Sequence, residues 1–91
     1  MATPVDPADL PFFHDASETV RFWVDVDGRV MGASVGRMAL HHRYRPNAQG
    51  EDPLDTFREN QADIEAAVRR RVAQGSIEPV MLREYDLRVH G

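Results

Sequence analysis

The stretch Val20-Arg21-Phe22-Trp23-Val24-Asp25-Val26-Asp27-Gly28-Arg29-Val30-Met31-Gly32-Ala33-Ser34-Val35 decides the fold. Asp27-Gly28 is a two-residue hairpin signal, because both central positions of a type I′ turn require positive φ. Closing the chain there pairs Val26 with Arg29, Val24 with Met31, Phe22 with Ala33 and Val20 with Val35, all on one face. Arg29 is the one charged residue of that set. The opposite face reads Arg21, Trp23 and Asp25 across from Ser34, Gly32 and Val30. A slip of one residue would turn Arg21 and Asp25 into the core, so the apolar pattern pins the register. A ribbon of two strands is marginal in water, and the rest of the chain must cover its apolar face.

Upstream, Pro4, Pro7 and Pro11 stand among small and acidic residues, and positions 1–9 are expected to form a flexible lead-in to a single domain over 10–91. Leu10, Phe12 and Phe13 predict either a short edge strand or an anchored loop, with one of the two phenylalanines buried. His14 to Glu18 make a polar turn. Downstream, Gly36 can cap a short helix from Arg37 to Tyr44, ending before Pro46, and Arg45 to Glu51 read as a surface loop. Asp52-Pro53 then opens one long helix to about Gln74, with Asp52 as N-cap, Pro53 at the first helical position and Gly75 just past the end. Leu54, Phe57, Ile64, Val68 and Val72 fall within about 80° of arc and form the stripe that covers the hairpin. Gln61 interrupts this arc; it is expected to bond a loop backbone or to reach the rim. From Ile77 to Val89 the alternation has period two, which predicts a strand with Met81, Tyr85 and Leu87 inward and Val80 and Leu82 outward. The expected fold is α+β: a small, mainly antiparallel sheet, with hairpin and C-terminal strand, covered on one face by a short and a long helix in the order ββααβ.

Within the long helix, Phe57-Arg58-Glu59-Asn60-Gln61-Ala62-Asp63-Ile64-Glu65 resembles the Phe-x-x-Asn-x-x-x-Ile-Glu core of the short bacterial family catalogued as domain of unknown function 1488. Val20-Arg21-Phe22, the Gly-containing turn, the second strand running into Arg37-Met38-Ala39-Leu40 and the terminal Gly75 follow the family's order. Gly36 stands where the family usually places a Ser or Thr cap, and the tail from Pro79 onward is distinctive. The resemblance implies an architecture and no catalytic residues.

The 91 residues contain no cysteine, which excludes disulfide scaffolds, thiol nucleophiles and Cys-based zinc sites and fits a reducing cytoplasm. No apolar run approaches the roughly 20 residues that span a bilayer, so no membrane partner is expected. The net charge of −4 argues against binding nucleic acid through an overall field. All eleven cationic residues are arginines, a bias attributed first to genome composition. His41 and His42 are adjacent and cannot chelate one ion from a helix as an i, i+4 pair can, so no metal or other cofactor is expected. Carboxylates sit at caps, turns and solvent faces, and none of Ser17, Ser34 and Ser76 lies in a nucleophile elbow. No catalytic residue is nominated and no enzyme is expected.

The apolar residues left over on the outer face point elsewhere. Trp23 opposite Gly32, with Val30, Val80 and Leu82, would form a patch rimmed by Arg21, Asp25, Glu84 and Arg88. The expected function is a cytoplasmic, non-catalytic protein-interaction or regulatory module that binds another protein or itself through this face. A nucleic-acid-associated protein using Arg37, His41, Arg43 and Arg45 is the alternative, with dipole complementation accounting for Arg69-Arg70-Arg71.

Overall fold

Asp27 and Gly28 both take positive φ, 53° and 85°, and the hairpin closes between them in the expected register, with Phe22 opposite Ala33 and Trp23 opposite Gly32. The computed structural model describes residues 10–47 and 49–88; the lead-in expected at 1–9 and the end of the tail lie outside them. The elements in order are β1 (Phe12–His14), β2 (Thr19–Val26), β3 (Arg29–Gly36), α1 (Arg37–Tyr44), α2 (Pro53–Glu59), α3 (Gln61–Ala73), β4 (Val80–Leu82) and α4 (Glu84–Arg88).

The four strands form one sheet in the order β1-β2-β3-β4. β1 is the edge strand that Phe12 and Phe13 suggested, antiparallel to β2, and Phe13 packs against the core. β4 runs parallel to β3, so the sheet is mixed. The reason is the helical segment between them: a parallel neighbour needs a crossover of a dozen or more residues, and α1 to α3 supply it. Every element contributes to one core, from Val20, Phe22, Val24 and Val35 of the hairpin to Leu40, Phe57, Ile64 and Val68 of the helices and Leu87 of α4. Phe22 and Phe57 meet at its centre, ring centroids 4.7 Å apart and tilted by 45°.

Asp52 caps α2 as expected, its Oδ1 accepting from the Leu54 amide at 2.9 Å with Pro53 behind it. Gly36 caps α1 without a side-chain hydrogen bond; the Arg37 amide, at the first helical position, donates to the Glu18 carbonyl at 2.9 Å and so satisfies one of the free amides of the helix start. The expected single long helix is two helices. Asn60, at φ −122°, leaves helical geometry, and its side-chain amide donates to the Thr56 carbonyl at 2.9 Å. Asn competes with a helix for its own backbone in this way. The break re-aims α3 so that Ile64, Ala67 and Val68 are buried while Gln61 is exposed, donating to Glu65 at 2.9 Å. The apparent conflict at Gln61 came from projecting a straight helix through Asn60.

The C-terminal segment departs furthest from expectation. β4 is three residues long and in the opposite phase: Val80 pairs with Ala33 and Leu82 with Val35 on the core side, and Met81 faces out. The odd phase would have buried Arg83. The even phase is apolar for as long as the strand lasts, and the chain then turns into α4, which packs on α1 and α3. Val80 and Leu82 are therefore core residues, and Glu84 and Arg88 belong to a helix rather than to the rim of the sheet.

Candidate interaction surface on the outer face of the sheet

The helices cover one face of the sheet, and the other carries its side chains in rows set by the register. One row crosses all four strands: Phe12 beside Arg21, Arg21 beside Ser34, Ser34 beside Met81. Trp23 and Gly32 form the next row, Asp25 and Val30 the one beyond. Two small residues, Gly32 and Ser34, thus alternate along the outward side of β3 between large neighbours. The result is a trough of about 270 Å³ with Arg21 and Trp23 on one side and Pro79 and Met81 on the other. Phe12 leans on Trp23 from the edge strand, with ring centroids 6.1 Å apart. Met81 is 62 % exposed and Phe12 39 %, so apolar surface stands proud on both flanks.

Glu78 closes one end. β4 has not yet begun there, and the Gly32 amide donates to Glu78 Oε2 at 2.6 Å, a carboxylate in place of a strand partner. A Cβ at Gly32 would lie 3.2 Å from that oxygen and 3.7 Å from the Trp23 indole nitrogen. Glycine keeps this corner open. Among the described residues no carboxylate pairs with Arg21.

Of the residues singled out in the sequence, Arg21, Trp23 and Val30 lie together on this face with Asp25, whereas Val80 and Leu82 do not. Phe12, Glu78, Pro79 and Met81 take their place. Parity was the missing signal: Phe13 and Leu82 are the inward members of their strands, which sends Phe12 and Met81 outward.

The basic region around α1 is occupied internally. Arg37 pairs with Glu18 at 3.2 Å, His41 with Glu51 at 2.8 Å, and Arg45 with Glu59. Arg43 donates to the Leu87 carbonyl at 3.0 Å and lies 5.3 Å from the Tyr44 ring centre. The hydrogen bond from His41 holds the Glu51 carboxyl below its ordinary range. The three consecutive arginines are likewise pins rather than a patch. Arg69 donates to the Asp25 carbonyl, Arg70 to the Asp86 carbonyl and Arg71 to the Asp86 side chain, Ser76 and the Met81 carbonyl. Among the described residues no three acidic or histidine side chains gather as a metal site, and no helix is long and apolar enough to cross a membrane.

The family model described as "Protein of unknown function (DUF1488)" matches residues 7–82. The chain belongs to the DUF1488 family. No curated protein and no solved structure matches it. The matched span takes in the whole outer face, from Phe12 through Met81, and stops before α4. DUF1488 membership brings the architecture described above and no assigned activity, so function has to be argued from the surface itself.

Proposed function

We propose that this DUF1488 protein is a non-catalytic, cytoplasmic interaction module that holds a protein partner on the outer face of its sheet. The observation that carries this reading is the trough over Gly32 and Ser34. It puts an indole, a thioether and an aromatic ring at the surface beside a guanidinium that has no carboxylate partner among the described residues, although the core is already complete without them. An apolar centre with Arg and Trp and a charged edge has the composition of a recognition surface. The absence of cysteine supports a reducing compartment. The nucleic-acid alternative loses support, because the cations around α1 are engaged by the protein's own acceptors.

A photo-crosslinking residue placed at Ser34, on the trough floor, tests the reading against one placed at Arg58, which is exposed on α2. In cells of the native host, Ser34 should yield protein adducts that disappear with Trp23→Ala, and Arg58 should not. Equal yields from both positions, or adducts indifferent to Trp23, would overturn it.

A further inference from the structure

The outer face changes sign along the strands. Arg21 occupies the row of Phe12 and Met81; Glu78 bends over the next row at Gly32; Asp25 follows beyond Trp23. Residues two apart on one strand are separated by roughly 6.7 Å, so cation and carboxylates are segregated over about 13 Å of face. Glu78 meets the Gly32 amide through Oε2, and its Oε1 has no hydrogen-bond partner among the described residues.

From this arrangement, and resting on the reading above, we infer that the partner is a second copy of this chain, laid face to face with its strands reversed. A two-fold axis can place one sheet on another in two simple ways. An axis along the strands would stack the Arg21 rows of both copies on each other, like charge on like. An axis across the strands, midway between the Arg21 and Trp23 rows, reverses their order. Arg21 of each copy then comes over Trp23 of the other, within reach of the unpartnered oxygen of Glu78. A guanidinium over an indole face and against a carboxylate gains from both, and two-fold symmetry makes each contact twice. Stacked sheets rotate by about 30°, which turns the flanking Trp23 and Met81 of each copy toward the other's trough. A foreign partner would need to present the same alternation of charge. The second copy already has it.

Charge exchange tests the register. Sedimentation equilibrium to high-micromolar concentration should show wild-type dimers, weakened at least about tenfold by Arg21→Glu and by Glu78→Arg, each of which sets like charges against each other across the axis. An equimolar mixture of the two variants restores both pairs and should dimerise as wild type does. Circular dichroism checks each fold, and Glu78→Gln, which keeps an acceptor for the Gly32 amide, should also weaken the dimer. Single variants that dimerise normally, or a mixture that fails to recover, would overturn this register. A monomeric wild type that still gives Trp23-dependent adducts from position 34 would overturn the second copy as partner and leave the interaction reading standing. A monomer without such adducts would remove both.

Discussion

Tyr44 ties two helices at a single atom: its hydroxyl donates to Asp63 Oδ2 at 2.6 Å, joining α1 to α3. Burial, then the bond to Asp63 and its negative charge, push the phenol well above its ordinary value of 10.0. The sign follows from linkage. A folded value above the unfolded one means stability that is fully present below the unfolded value, and that is lost as pH rises toward the folded one. Replacing Tyr44 with Phe should therefore destabilise the protein near neutrality by about 1 to 2 kcal/mol, since Asp63 loses a donor. The gap should narrow once pH passes about 10. Urea denaturation of both proteins across that range measures it, and a gap that stays constant would place the stabilisation in packing rather than in the hydrogen bond. At this scale the sequence placed Tyr44 at the end of the short helix but gave no sign of Asp63, because the pair depends on how α1 and α3 cross.

Among the elements, α4 depends most on its neighbours. Five residues are too few for an independent helix. It is held by Arg70 on the Asp86 carbonyl at 2.7 Å, by Arg43 on the Leu87 carbonyl at 3.0 Å and by the ion pair of Arg71 with Asp86 at 2.7 Å. Asp86 also accepts from the Arg83 amide at 2.8 Å, which caps the turn into the helix. Asp86→Ala leaves the partly buried Arg71 guanidinium without its carboxylate and the Arg83 amide without its cap. The expected loss is about 3 kcal/mol. Chemical denaturation together with amide exchange should show the α4 amides exposed first; an unchanged midpoint would mean that Leu87 and the carbonyl bonds from Arg43 and Arg70 anchor the helix without the ion pair. The hairpin could be read from sequence because its turn, alternation and charge exclusion all agree, and agreement across levels is what makes a segment legible. The tail offered no such agreement. A three-residue strand and a five-residue helix in succession imitate one alternating strand, and only the arginines reaching from α1 and α3 distinguish the two. Two of the five residues nominated for the surface, Val80 and Leu82, were lost with that distinction, since the parity of β4 decides whether Met81 or Leu82 faces out.

For the whole molecule, the distribution of arginine favours the proposed protein surface over a nucleic-acid surface. Net charge is −4, and the cations that looked clustered in sequence are engaged by internal acceptors: Arg37 by Glu18, Arg45 by Glu59, Arg43 by the carbonyl of Leu87, Arg70 and Arg71 by Asp86. A phosphate backbone would have to break those contacts to recruit the side chains, and it would approach an acidic molecule to do so. Binding driven by counterion release scales with the number of phosphates neutralised, and the clustered arginines are not available without such a cost. Fluorescence polarisation with single- and double-stranded RNA and DNA should therefore show nothing tighter than about 10⁻⁴ to 10⁻⁶ M at physiological salt. Self-association through the apolar trough should by contrast change little between about 50 and 200 mM salt in its Trp23 contribution, with only the Arg21 contribution screened. Nanomolar nucleic-acid binding that disappears when Arg37 and Arg43 are replaced would move the proposed functional surface from the open face of the sheet to α1. The internal pairs of α1 would then have to open when the ligand arrives, and the loss of the Arg37 pair with Glu18 on binding would be the structural sign of it.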